Sequence, residues 1–183
     1  MRKFLSVYTA THKRPQLLGR CMASVLGQSM ACEHVVVHDF VGLGVEGMYG
    51  DIENHADQCH GEYVLMLNDD DYLLGQDAIF DLWTKNHGSG AEVLVFQGDL
   101  LGETYPRVWE EKPSIGDIAI CNYAMRNDIW RKHATHWKRS YEADYWMFEL
   151  FWELRYRFNW IPQMVFKVDQ VGRGVPELES AAS

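Results

Sequence analysis

Apolar positions along the chain fall into two kinds of pattern. Continuous apolar and β-branched runs occur at residues 3–9, 34–40, 62–67 and 91–101, and each reads as a buried strand. Segments with helical spacing lie between them. In "PQLLGRCMASVLGQ" the apolar stripe is Leu17, Leu18, Cys21, Met22, Val25 and Leu26, with Pro15 in its first turn. "GDIENHADQCHG" predicts a helix closed by Gly61, and "GQDAIFDLWTKNHG" a helix ending at Gly88. "VGLGVEGMYG" is Gly-rich and reads as loop at least as far as Gly47. The first hundred residues therefore alternate β-α-β-α-β-α-β. That order implies an α/β fold, a Rossmann-like, mostly parallel central sheet flanked by helices.

Beyond Gly98 the alternation weakens. "TYPRVWEEKPSIGD" reads as a short strand and a loop, "IAICNYAMR" as a strand, and "NDIWRKH" as a short helix capped by Asn127. A long aromatic helix starts near Glu142 in "YEADYWMFELFWELRYRF", and "WIPQMVFKVDQ" closes the pattern as a strand. This smaller strand-helix-strand portion is expected to pack on the first half within one domain, residues 1–175. Residues 176–183, in the small polar stretch "PELESAAS", read as a flexible tail.

Composition narrows the function classes. Hydrophobic residues make up 47% of 183, enough for a sizeable core and too many for a disordered chain. The net charge of −9 disfavours a nucleic-acid binder, whose affinity rests on phosphate contacts. Cys21, Cys32, Cys59 and Cys121 form no Cys-x-x-Cys pair, which fits a reduced, intracellular, cytoplasmic setting and not a zinc knuckle. The basic N-terminus has too short an apolar run for a signal peptide, and no stretch reaches membrane-spanning length.

Candidate chemistry concentrates where strands end. In open α/β sheets ligands bind beyond the carboxyl ends of the strands. Thr9-Ala10-Thr11, Asp39 and Asp69-Asp70-Asp71 all fall at such ends. Three adjacent carboxylates repel one another unless a cation compensates. At a strand end they suit Mg²⁺ or Mn²⁺, which take oxygen ligands and leave room for phosphate oxygens. The plainer alternative is a solvated turn that caps the next helix. An EF-hand is excluded, because Leu73, Leu74 and Gly75 supply no side-chain oxygens. No Gly-x-x-x-x-Gly-Lys-Ser/Thr is present, and the Gly-x-Gly-x-x-Gly match at Gly42–Gly47 follows the second strand, not the first. His133 and His136 have a spacing that admits a metal pair, but no third ligand accompanies them, so a basic surface patch is the favoured reading.

Several segments, in order, resemble the family 2 glycosyltransferases of the GT-A fold. "LSVYTATHKRPQLLGRCMASVLGQSM" is similar to that family's opening strand, its Thr-x-x-Asn-Arg-Pro-like loop and its helix with a Ser-x-x-x-Gln ending, here Ser24 to Gln28. "HVVVHDF" stands where the family has a strand ending in Asp, and "NHADQCHGEYVLMLNDDDYL" resembles its Asn-x-Ala…Gly-Glu-Tyr-(apolar)₄-Asp-x-Asp-Asp segment. The likeness covers residues 3–100 well and thins from 101 to 170. It implies a nucleotide-sugar-binding half over 1–100 and an acceptor and catalytic-base half over 101–175. It implies that Thr9 and Thr11 line the base pocket and that Asp39 pairs with the base, usually uracil. It implies that Asp69 faces the ribose while Asp70 and Asp71 hold the metal. The family's late carboxylate at a helix start matches Asp144, with Glu142 as runner-up; acids there also simply complement the helix dipole. Departures are visible: His38-Asp39-Phe40 keeps one carboxylate, Asn68 replaces an acid, and "VEGMYGDIEN" lacks a basic residue. Arg14 either reaches the phosphates or is a surface residue.

The expected function is metal-dependent, inverting transfer of a sugar from a nucleotide-diphospho-sugar, a UDP-sugar being favoured, to an acceptor hydroxyl. The acceptor stays open among a glycan, a lipid-linked or small molecule and a modified nucleobase. The chain is short for that family, which leaves room for completion by a second subunit, as in a homo-oligomer. A nucleotidyltransferase and a non-catalytic nucleotide-sugar-binding module are the alternatives.

Overall fold

The computed structural model describes residues 2–42, 44–137 and 140–169; the expected tail at 176–183 and the end of the last expected strand, Gln170, lie outside them. In chain order the elements are β1 (Leu5–Thr11), α1 (Pro15–Leu26), β2 (Glu33–His38), α2 (Val45–Gly50), α3 (Ile52–His55), β3 (Tyr63–Met66), β4 (Asp71–Leu73), α4 (Ala78–Asn86), β5 (Val93–Leu100), β6 (Glu103–Tyr105), β7 (Tyr123–Arg126), α5 (Asn127–Lys132), α6 (Ala143–Glu153) and β8 (Phe158–Val168). Among these residues no helix is long and apolar enough to cross a membrane.

The α/β class stands, but the sheet is mixed, not mostly parallel. Its order is β2-β1-β3-β7-β5-β8-β4, with β6 paired to β5. β1 runs parallel to β2 and β3, and β5 parallel to β8; the β3–β7, β5–β7, β5–β6 and β4–β8 pairs are antiparallel. Sequence order alone puts the fourth long strand beside the third. Instead β7 is inserted between β3 and β5, so strands from both halves share one sheet.

Period-2 alternation sorts the strand residues onto two faces. Leu5, Val7, Leu65, Leu94, Phe96 and Ala124 pack against α1 and α4 through Cys21, Val25, Ile79 and Leu82. Tyr8, Val64, Met66, Val93, Val95 and Tyr123 face the opposite layer, where Ile52, Ile129, Trp130, Met147, Phe148 and Phe151 come from α3, α5 and α6. Each such side chain contributes roughly 1.5–3 kcal/mol on burial. Both layers are needed because the strands are apolar on both faces.

Local readings that failed did so for identifiable reasons. The Gly-rich stretch turns helical at Val45, earlier than its glycines suggest. The expected helix over 50–61 breaks into α3, a 3-10 turn at Ala56–Gln58 and extended backbone at Cys59. Gly61 therefore caps no helix. It is required because a Cβ there would sit 2.4 Å from the Ser6 nitrogen and 2.7 Å from the Leu5 carbonyl carbon, against the β1 backbone. Asn127 begins α5 but does not cap it with its side chain. Its Nδ2 donates to the carbonyls of Cys59 (2.8 Å) and Gly61 (2.9 Å), tying the irregular segment to the buried layer. "IAICNYAMR" is only half strand, since Ile120–Asn122 forms a 3-10 turn before β7.

Gly61→Ala is expected to lower stability by about 1–3 kcal/mol, the usual cost of forcing an added carbon into a packed site. A fall in the urea midpoint at unchanged slope reads this, and an unchanged midpoint refutes the close-approach explanation.

Candidate active site

β1, β2 and β3 are mutually parallel, so their carboxyl ends lie on one edge of the sheet. The chain leaves each through polar residues that cannot continue the core. Thr11, Asp39 and Asp69–Asp71 all line a cavity of about 430 Å³ at that edge. Glu142 and Asp144, at the start of α6, line the same cavity from the second half of the chain.

The three aspartates are buried, with 0%, 3% and 1% exposure for Asp69, Asp70 and Asp71. The solvated-turn alternative is thereby excluded. They are also inequivalent. Asp69 accepts from Thr11 Oγ1 (2.7 Å) and from Arg14 Nε (3.1 Å) on one oxygen, and from Arg14 Nη2 on the other. Burial raises its pKa, and the Thr11 hydrogen bond and the Arg14 charge oppose the rise. Asp70 Oδ2 accepts from Arg14 Nη1 (3.0 Å), while its backbone carbonyl accepts from Arg20 Nη2 (2.6 Å). Asp71 opens β4; its Oδ2 accepts from Asn68 Nδ2 (2.8 Å) and its Oδ1 is buried without a hydrogen-bond partner. Burial, reinforced by the neighbouring Asp70 charge, pushes the Asp71 carboxyl up to about 8.

Arg14 is no surface residue. It is the only Lys or Arg among the described residues lining the cavity, and its side chain is 11% exposed. Asp39 Oδ1 accepts from the backbone nitrogens of Val41 (2.9 Å) and Gly42 (2.7 Å), closing the turn after β2. His12 Nδ1 donates to the Asp39 carbonyl (2.5 Å), and its ring packs so closely on Gly42 that a Cβ there would lie 2.7 Å away. Thr9 is placed elsewhere: it points to His34 Nε2 (3.0 Å) and Cys21 and does not line the cavity. Thr9 and Thr11 lie two residues apart on one face of β1; Thr9 sits deeper along the strand, against α1 through Cys21, and Thr11, at the strand's end, reaches the cavity.

Asp144 sits in the first turn of α6, where its Oδ1 accepts from the Tyr145 nitrogen (2.7 Å). Burial is the largest influence on it and raises its carboxyl to about 6. Glu142 occupies the position before the helix and is half-buried. Residues that sequence reasoning passed over also reach the cavity. Tyr49 and Asp51 come from α2 and the α2–α3 junction, and Cys121 from the 3-10 turn before β7. Cys121 is buried beside both Asp71 and Asp144, and burial pushes its thiol well above the ordinary value. The signal for these was absent locally, because their segments read as plain loop, helix and strand. The His133–His136 reading as a surface patch fails for His133, which is buried with Nε2 2.8 Å from the Tyr156 hydroxyl.

The donor set suits a hard divalent cation: Asp71 offers a buried oxygen with no partner, and Asp70 is tied by a single side-chain hydrogen bond. Among the described residues no group of three or more His, Cys, Asp or Glu is placed to hold a metal ion. An ion here needs oxygens from a substrate as well, the way Mg²⁺ binds through one or two carboxylates and phosphates.

No family model and no curated protein matches the chain. Solved structures do. S. aureus TarS is similar over 93% of this chain and 37% of that one, at 14% identity and a TM-score of 0.72. TarS 1–349 in complex with UDP-GlcNAc is similar over 95% of this chain and 60% of that one, at 15% identity and a TM-score of 0.67. The mannosyltransferase PcManGT from Pyrobaculum calidifontis, in complex with GDP-Man and Mn²⁺, is similar over 95% of this chain and 59% of that one, at 11% identity and a TM-score of 0.67. The chain spans between 37% and 60% of the length of these proteins. The likeness establishes the α/β fold they share.

In metal-free protein, Asp71 keeps a proton between pH ~4 and ~8 that the unfolded chain has released. The native state then binds more protons than the unfolded state, so stability falls as pH rises through that window and levels off above it. Asp71→Asn is expected to flatten this fall in denaturation midpoints measured with chelator present; an unchanged slope refutes the assignment.

Proposed function

We propose that this chain is a glycosyltransferase that moves a sugar from a nucleotide-diphospho-sugar to an acceptor hydroxyl with a divalent metal, inverting the anomeric carbon. One observation carries the reading. The aspartate triplet and Asp144, from opposite halves of the chain, open into one cavity. The fold shared with proteins solved with UDP-GlcNAc or with GDP-Man and Mn²⁺ supports the donor class.

On this reading Mn²⁺ or Mg²⁺, held by Asp70 and Asp71, supplies charge that stabilises the leaving diphosphate. Asp39 and Thr11 face the nucleoside, and Asp69, held on both oxygens by Arg14 and on one by Thr11, shapes the ribose side. Asp144 takes the proton of the acceptor hydroxyl as that oxygen attacks the anomeric carbon. The new C–O bond forms as the bond to the diphosphate breaks, and the leaving group keeps the electron pair. A carboxyl near pH 6 is well placed for this, being ionised at neutral pH yet more basic than an exposed aspartate. Glu142, half-buried at the same rim, is placed to orient the acceptor.

Asp144→Asn is expected to lower kcat for transfer by about 10²–10⁴-fold with donor KM little changed, the usual contribution of a positioned base. The wild-type rate should rise with pH through about 6 and level above it, because only the deprotonated carboxylate accepts a proton. Retained turnover in the variant, or a profile flat across pH 5–7, refutes Asp144 as the base. A thermal-shift screen checks the donor: a UDP- or GDP-sugar should raise Tm only with Mn²⁺ present. Release of pyrophosphate from a nucleoside triphosphate would instead identify nucleotidyl transfer.

A further inference from the structure

We infer that Arg14 is a resident counter-cation of the aspartate triplet, which a divalent metal must displace from Asp70 while Asp69 keeps it in place. Arg14 then sets how tightly the metal binds. The inference rests on the metal site of the proposed function, and on no step of sugar transfer.

The geometry divides the guanidinium between two carboxylates of unequal hold. Asp69 takes both of its oxygens into bonds with Arg14 and adds Thr11, so three of its roughly four acceptor sites are used and it is the least available of the three for an ion. Asp70 is held by one N–H at 3.0 Å, and Asp71 by no cation at all, with Oδ1 unpartnered. The oxygens nearest to release are therefore those of Asp70 and Asp71. An ion settling on them meets the positive charge of Arg14 on the same Asp70 carboxylate and must remove one of its bonds.

The groups around Arg14 keep it from leaving altogether. Its backbone carbonyl accepts from the Leu18 nitrogen (2.9 Å), inside the first turn of α1. Pro15 follows it directly and restricts its backbone to non-helical conformations, so the side chain is launched from a fixed point toward the triplet. Arg20 on the next turn of α1 holds the Asp70 carbonyl and pairs with Asp169 (2.7 Å), so it cannot replace Arg14 at the carboxylates. The consequence is a site that is folded and partly neutralised without metal, binds metal weakly alone, and gains it when a diphosphate adds its own oxygens and negative charge.

Mn²⁺ binding to nucleotide-free protein tests this, by the loss of the free-ion electron paramagnetic resonance signal and by calorimetry. Arg14→Gln removes the charge and keeps amide donors for Asp69. It is expected to bind Mn²⁺ at least about tenfold tighter than wild type, since a unit charge within a few ångströms of the ion is worth more than that even at an effective dielectric near 20. Arg14→Lys keeps the charge but cannot bridge both carboxylates, and should tighten binding by about threefold. It also keeps the inference testable if the Gln variant does not fold. Unchanged or weaker Mn²⁺ binding in a folded variant overturns the inference, as does the absence of Mn²⁺ binding in wild type and variants alike. Tighter metal binding in protein that transfers no sugar would leave the inference standing and sink the proposed function instead.

Discussion

Three consecutive carboxylates are buried at the end of β3, and one guanidinium from the start of α1 offsets them. Burying an uncompensated carboxylate costs on the order of several kcal/mol. Arg14 reaches Asp69 and Asp70; without it those two would have to open to solvent or turn neutral, as burial already favours for Asp71. Arg14 reaches them only because α1 starts immediately after β1 and lies over the edge where β4 begins. The position of that helix, the path of the chain through Asn68–Asp71 and the cavity floor are thus parts of one electrostatic arrangement. Thr11, Asn68 and Arg20 complete it by hydrogen bonds to the triplet's side chains and backbone.

The mixed sheet makes the cavity two-sided. A purely parallel doubly wound sheet would surround the strand ends with loops from the first half alone. Inserting β7 between β3 and β5 brings the turn at Ile120–Asn122, and with it Cys121, under the triplet. The aromatic layer then carries α6 onto the same side: Phe148 and Phe151 pack edge-on to Tyr123, whose hydroxyl donates to the Asp144 carbonyl (2.9 Å). Core packing and site geometry share these residues. Phe148 and Phe151 of α6 are fully buried and belong to the interior packing.

Charge gives the cavity its character. Asp39, Asp51, the triplet, Glu142 and Asp144 line it beside the single guanidinium of Arg14. Burial raises the carboxyls of Asp71 and Asp144, so both hold protons more readily than exposed acids do. An acidic cleft of this kind favours positive charge between its carboxylates.

Much of this was legible in the sequence. The strands at residues 3–9, 62–67 and 91–101 showed as apolar runs because strands covered on both faces need no polar positions. The aspartate triplet stood out because charge directly after such a run can lie only at a strand end. Local pattern also put the start of an aromatic helix near Glu142, and the family resemblance singled out Asp144 beside it. What it missed depends on contacts between distant segments. Gly61 is set by the backbone of β1, Asn127 by carbonyls some 66 residues away, and β7 by a neighbour that sequence order does not name. Only the tertiary structure decided which two aspartates Arg14 holds, which oxygen is left without a partner, and that Thr9 stays below the cavity while Cys121 lines it. Residue type and periodicity set which groups are polar and which face they prefer; burial and pairing are properties of the space between elements, and that space exists only once the chain has folded.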